Sequence, residues 1–314
     1  MTRILVTGAA GLVGREVTQA LRRAGYEPVS FDLRSVPDED IRRPEVIQAA
    51  IDGCEGVIHL AAVSRVAWGE ADPRLCDAIN IDGTRTVLSA IEAASPQPWL
   101  VFASSREVYG NPVAVPVAED APCLPVNRYG RSKSEGEKLV LAAGTRGVRA
   151  AIVRLSNVYG DVHDHSDRAV PSLLWRAMQG RELQLTGPEV FFDFVHVEDC
   201  ARGLLKAAHA VGSEGQRLPP IHLVSGVPTT LLELARICLR VTGSSSPVLI
   251  GPARHFDVSG FWGDPARAEA LLGFRTQVTL EDGLRRFRDI LFARGRPPDP
   301  VELSTLRHVR ALEG

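Results

Sequence analysis

RILVTGAAGLVG, residues 3–14, is an apolar run that breaks into three glycines, Gly8, Gly11 and Gly14, spaced G-x-x-G-x-x-G. Arg3–Val6 reads as a strand, and Gly14–Ala24 as a helix with Val17, Ala20, Leu21 and Ala24 at helical spacing. A turn without side chains between them lets backbone N–H groups and the helix N-terminus reach a pyrophosphate. Turns use glycine for other reasons, so the triplet alone counts for little. Its context raises it: a second strand, Pro28–Asp32, ends in a carboxylate 18 positions past Gly14. An acid at that distance is placed to meet an adenosine ribose hydroxyl. It would repel a 2′-phosphate, which favours NAD over NADP. Arg34 argues the other way, because an arginine accepts such a phosphate. The plain alternative for Asp32 is a strand-end acid with a salt-bridge partner.

The alternation continues along the chain. Gly56–Leu60, Trp99–Ala103 and Arg149–Leu155 read as strands between helices at Glu45–Ile51, Asp77–Ala94 and Tyr129–Ala143. This order predicts a doubly wound parallel sheet, a Rossmann α/β fold, with ligands at the carboxyl ends of its strands. Beyond Asn157 the pattern loosens into helices at Val170–Met178 and Thr230–Val241 among irregular stretches. A smaller C-terminal substrate-binding α/β domain is expected there. Residues 1–156 are assigned to dinucleotide binding, and 157–193 with 213–314 to the substrate. Phe194–Ala208 reads as a strand and helix, so 194–212 is expected to return to the first domain. The tail beyond Arg294 is expected to be partly mobile.

The 314 residues are 45% hydrophobic and 24% charged, which excludes wholesale disorder. Thirty-six Lys and Arg against 38 Asp and Glu leave no positive excess for neutralising phosphates, so no nucleic-acid partner is expected. No apolar run is long enough to span a bilayer, and the N-terminus reads as a strand rather than a secretory signal. Five scattered cysteines without a CxxC pair suggest neither a disulfide framework nor a zinc site. A reducing cytoplasm is the expected compartment.

Tyr129-Gly-Arg-Ser-Lys133 is Y-x-x-x-K on a predicted helix, and i, i+4 spacing puts both side chains on one face. A phenol is a poor base at neutral pH, but a nearby ammonium and the positive nicotinamide favour the phenolate. Tyr129 can then take or return a hydroxyl proton. Upstream, Ser104-Ser105-Arg-Glu-Val-Tyr109-Gly110 ends a strand that should finish beside the nicotinamide. Ser105 is placed to hydrogen-bond the same substrate oxygen. Each element is common alone; together, in this order, they are specific.

With these residues in view, the chain resembles an extended short-chain dehydrogenase/reductase of the NAD-dependent epimerase/dehydratase family, from Arg3 to about Phe287. TGAAGLVG, including Leu12 and Val13, is similar to the family's nucleotide fingerprint, and Gly56-Val-Ile-His-Leu60-Ala61-Ala62 to its fourth-strand motif. Asn80-Ile-Asp-Gly-Thr84 resembles its N-x-x-G-T helix, where the asparagine helps shape the site. Asp40-Ile41 resembles the acidic segment that touches adenine. Arg154-Leu-Ser-Asn157-Val-Tyr-Gly160 and Phe194-Val-His-Val-Glu-Asp199 resemble the markers of the substrate side. The resemblance implies a catalytic Ser105, Tyr129 and Lys133, and cofactor contacts from the segments named here. Ser64, Ser105, Arg106, Asn157, Arg168, Phe192 and Arg254 are the expected substrate contacts, and no metal is needed. A nucleotide-sugar substrate and a homodimer through the helices carrying Asn80 and Tyr129 are likewise implied.

The reaction is less well defined. Glu107 matches a glutamate of sugar dehydratases and uronate decarboxylases, and is a candidate acid/base. Its alternative is a strand-end carboxylate paired with Arg106 or another base. Arg106 stands where dehydratases normally carry an aspartate, and an arginine cannot donate that proton at ordinary pH. Family members usually read R-D-F-V-H-V, with an arginine gripping a diphosphate; here Phe192 replaces it. Arg254 resembles a second clamp, and Arg168 or Arg176 is a speculative substitute. An epimerase is expected, acting through a transient keto-sugar with hydride passing to and from bound NAD. The rivals are a net NAD(P)-dependent dehydrogenase or reductase on a non-nucleotide substrate, and a dehydratase or decarboxylase using Glu107. A non-catalytic dinucleotide sensor would not need an activated phenol. His163-Asp-His-Ser-Asp167 is read as a polar loop near the substrate mouth rather than a metal site.

Overall fold

Strand β1 (Arg3–Thr7) sends Ile4 and Val6 to one face of a sheet and Leu5 to the other, all fully buried. β4 (Trp99–Ser105) repeats this, with Trp99 and Val101 on one face and Leu100 and Phe102 on the opposite one. Strands buried on both faces, without a polar side, are the signature of a covered parallel sheet. The computed structural model describes residues 1–215, 217–251 and 260–295. With β2 (Glu27–Phe31), β3 (Gly56–His59), β5 (Ala150–Leu155) and β9 (Ile221–Leu223), these strands form a parallel six-stranded sheet ordered β2-β1-β3-β4-β5-β9.

Helices 12–23 and 197–212 pack together on the first face through Val17, Leu21, Cys200, Leu204 and Ala207. Helices 83–93 and 128–145 cover the second with Val87, Ile91, Val140 and Ala143. Each fully buried aliphatic side chain stabilises by about 1.5–3 kcal/mol.

A second layer of structure stands over the carboxyl ends. β6 (Asn157–Tyr159), β8 (Phe191–His196) and β10 (Pro228–Thr230) form a three-stranded sheet, and β7 (Leu183–Thr186) pairs with β11 (Val248–Gly251). Helices 169–178, 231–242 and 280–294 close their own core around Leu174, Leu183, Leu234, Leu284 and Phe287. Helix 231–242 starts in a capping box between Thr230 and Glu233.

The expected division along the chain differs from the sheets in two places. In segment 194–212 only the helix returns to the large sheet; its strand is β8, in the small one. Ile221–Leu223, read with the second unit, is the sixth strand of the first. The long helix expected at 77–94 is also interrupted. Pro73–Asp77 is α-helical, Ala78–Asp82 opens into a π-turn, and Gly83–Ala93 resumes the α-helix. No helix among the described residues is long and apolar enough to cross a membrane.

Candidate active site

A cavity of about 530 Å³ lies between the carboxyl ends of the large sheet and the second layer. Every candidate named from the sequence lines it, apart from Asn80, Arg176 and Arg254. Arg254 lies outside the described residues. Arg176, by contrast, donates to the Glu182 carbonyl away from the cavity.

The glycine turn fits a dinucleotide for steric reasons. Gly8 has φ +73°, and a Cβ there would stand 2.7 Å from the Ala61 backbone nitrogen. A Cβ on Gly14 would meet the Gly8 carbonyl at 2.1 Å, so helix and turn close only around hydrogen. Asp32, at the end of β2, accepts from Ala10 N through Oδ2 and from Arg34 N through Oδ1, both at 2.8 Å. The Arg34 guanidinium lies 3.5 Å from Asp32 Oδ1. The cation that would attract a 2′-phosphate therefore already faces a carboxylate, and this donor set suits NAD.

Deeper in the cavity, β4 delivers Ser105 and helix 128–145 delivers Tyr129 and Lys133. Asn127 caps that helix by accepting from Gly130 N, and its amide donates to Glu107 Oε2 at 2.7 Å. Burial pushes the Tyr129 phenol up to about 12, opposed by its hydrogen bond with Ser105. Burial brings the Lys133 ammonium down to about 8, and its Nζ donates to the Ala103 carbonyl at 2.8 Å.

Glu107 is buried, with Oε1 2.8 Å from Arg106 Nη2. Both oxygens are thus engaged, as the strand-end alternative required. The Arg106 guanidinium lies 4.9 Å from the Phe192 ring centroid.

Asn80 stands behind the wall. Its amide bridges Val63, accepting from the backbone N–H at 2.8 Å and donating to the carbonyl at 3.1 Å. It also donates to Ser132 Oγ at 2.8 Å, one residue before Lys133. The π-turn places it there, so its influence on the cavity passes through Val63 and Ser132.

Further residues complete the wall, the expected polar loop 163–167 among them. Arg65 grips Asp167 through both terminal nitrogens, at 2.5 and 2.7 Å, and joins the two layers across the cavity mouth. Trp68 meets His165 edge-on at 4.8 Å. Burial, then the charges of Arg65 and Arg168, brings His165 down to about 3, so its ring is neutral. Asp164 is buried against Arg168 at 2.8 Å, and burial raises its carboxyl. These contacts leave the 163–167 loop knit into the cavity roof. Among the described residues no group of three or more His, Cys, Asp or Glu is placed to hold a metal ion.

Beneath the floor runs a buried polar chain. Arg154 pairs with Glu137 through Nε and Nη2 at 2.9 and 2.7 Å and donates to Tyr109 at 3.0 Å. His59 sits between Thr7 and Thr84, at 2.7 and 3.1 Å, as a hydrogen-bonded core histidine.

Comparison with known proteins agrees with this geometry. The chain is 30% identical to a UDP-glucose 4-epimerase of Streptomyces lividans, over 87% of this chain and 91% of that enzyme. It superimposes with a TM-score of 0.85 on the crystal structure of a UDP-glucose 4-epimerase from Thermotoga maritima with UDP-glucose, at 25% identity, covering 94% and 100% of the two chains. It matches MoeE5 in complex with UDP-glucose and NAD equally well, at TM-score 0.85, 26% identity and 94% and 100% coverage. The family model described as the NAD dependent epimerase/dehydratase family matches residues 4–218, and the chain belongs to that family.

Proposed function

We propose that the protein is an NAD-dependent epimerase of a nucleotide-linked sugar. The observation that carries this reading is the convergence of Ser105, Tyr129 and Lys133 in one cavity with the glycine turn and Asp32. The relatives solved with UDP-glucose and NAD support it. NAD supplies a reversible hydride acceptor beside the sugar. Tyr129 takes the proton of the sugar hydroxyl, and Ser105 holds the oxygen while it becomes a carbonyl. Lys133 stabilises the phenolate through its charge. Epimerisation requires the keto-sugar to turn over before hydride and proton are returned to it.

The test is interconversion of UDP-glucose and UDP-galactose by protein whose bound nucleotide has been identified by mass spectrometry. Wild type should retain NAD and epimerise. Tyr129→Phe should keep NAD and lower kcat by about 10²–10⁴. A protein that holds NAD only in exchange, and turns over only with net NADH formation, is a dehydrogenase instead. Phe192, standing where relatives carry an arginine, favours that second reading.

A cytoplasmic homodimer belongs to the same reading. The free thiols of Cys54, Cys76, Cys123, Cys200 and Cys238 suit a reducing compartment. Leu141, half-exposed on helix 128–145, supports pairing through that helix. Light scattering should report twice the chain mass, and a monomer at micromolar concentration would remove the assignment.

A further inference from the structure

Three consecutive residues at the end of β4 are tied to three residues spaced one turn apart on helix 128–145. Lys133 Nζ donates to the Ala103 carbonyl at 2.8 Å. Ser104 Oγ donates to Glu137 Oε1 at 2.5 Å. Ser105 hydrogen-bonds the Tyr129 phenol. Tyr129, Lys133 and Glu137 share one helix face at i, i+4 and i+8. Glu137 does not line the cavity, so it meets no reacting atom. Its side chain is 7% exposed, and that of its partner Arg154 5%. Arg154 reaches in from β5, where it stands opposite Ser104 in the sheet register. Nε takes Oε1 at 2.9 Å and Nη2 takes Oε2 at 2.7 Å, while Nη1 is spent on the Tyr109 hydroxyl and the Glu119 carbonyl. The Glu137 carboxylate is thereby fixed in rotation as well as in place.

Packing alone does not call for this arrangement. The same helix meets the sheet elsewhere through apolar contact, with Val140 and Ala143 in one cluster with Phe102. Gly136 lets the helix approach closely, since a Cβ there would stand 2.6 Å from the Phe102 ring. Burying two charges is costly, and apolar side chains of like volume hold a helix on a sheet as well or better. What the ion pair adds is direction. It presents one oxygen at one place, and the Ser104 hydroxyl must meet it. Ser104 and Ser105 share a rigid peptide unit, so a side chain held at Ser104 limits the rotation of the backbone that carries Ser105. We propose that Glu137, acting through Ser104, is a positioning residue that holds the Ser105 hydroxyl on the Tyr129 phenol. The kinetic consequence rests on the epimerase reading of the site; the positioning itself does not.

The experiment is a double-mutant cycle of Ser104→Ala and Ser105→Ala, each protein loaded with NAD and assayed for interconversion of UDP-glucose and UDP-galactose. Ser104→Ala is the primary variant, because Arg154 still holds both oxygens of Glu137 and the buried ion pair survives. It should lower kcat about three- to tenfold, the worth of one hydrogen bond, with KM within about twofold of wild type. Ser104→Thr, which keeps the hydroxyl, should recover most of the loss. In the Ser105→Ala background, Ser104→Ala should cost less than about twofold, since the group it positions is gone. Glu137→Gln combined with Arg154→Gln withdraws both charges together and should lower kcat as Ser104→Ala does; wild-type turnover there would overturn the role of Glu137. A second readout needs no substrate: the phenol resonance of Tyr129 in protein carrying isotope-labelled tyrosine, one of four such signals, assigned with Tyr129→Phe. Ser104→Ala should move it in the direction that Ser105→Ala does. Losses in kcat that multiply independently, or a Tyr129 resonance that Ser104→Ala leaves in place, would overturn the proposal. Wild type that does not epimerise would remove the epimerase reading, and the resonance would then decide the positioning role by itself.

Discussion

Lys133 sits in a conflict between solvation and catalysis. Burial drives its ammonium toward neutrality, to about 8, while its role beside Tyr129 needs the positive form. Unfolded, this lysine holds its proton to about 10.5. Between those two pH values the unfolded chain binds more protons than the folded one, so stability rises with pH across that window. Urea unfolding from pH 7 to 10.5 should show this rise in wild type and a flatter profile in Lys133→Met. A slope that Lys133→Met leaves unchanged would assign the titration elsewhere. The mutant should also lose most turnover, since the ammonium one helical turn from the phenol is removed. Ser105, Tyr129 and Lys133 were legible because their chemistry requires a local pattern: a strand end and one helical turn. Arg65 was not, because its partner Asp167 is 102 positions away and Arg65 itself sits in no motif.

The π-turn at Ala78–Asp82 shows how an element can be right in kind and wrong in detail. Apolar periodicity over 77–94 marks a helix, and a helix is there, but the periodicity cannot register one widened turn. That turn aims Asn80 at Val63 and Ser132. Asn80→Ala would strip the Val63 N–H and carbonyl of their partners in a buried place. A loss of about 1–3 kcal/mol in unfolding free energy is expected, read by urea denaturation. A loss below a few tenths would mean that Val63 finds other partners. Three-residue strands such as β6 and β10 were unread for a different reason: so short a run carries no resolvable alternation.

On the scale of the whole molecule, the ion pair between Arg65 and Asp167 spans the mouth of the cavity from one layer to the other. Asp167 is mostly exposed, so the pair adds little to global stability, about 0–1 kcal/mol. Its effect should fall on what the cavity retains. Asp167→Asn should leave the melting temperature nearly unchanged and speed the loss of bound nucleotide in stopped-flow chase. Added salt should mimic the mutation in wild type. Equal release rates in both proteins would make the pair incidental. The parallel sheet was legible from the alternation of the first 155 residues; the place of its last strand was not, because β9 arrives after the chain has begun a second core. That ordering bears on synthesis. A ribosome delivers β5 some seventy residues before its neighbour β9, and delivers helix 197–212 in the interval. The nascent sheet therefore keeps one apolar face bare until residue 212 clears the exit tunnel and one edge bare until residue 223 does, which makes this stage of translation a period of need for a chaperone.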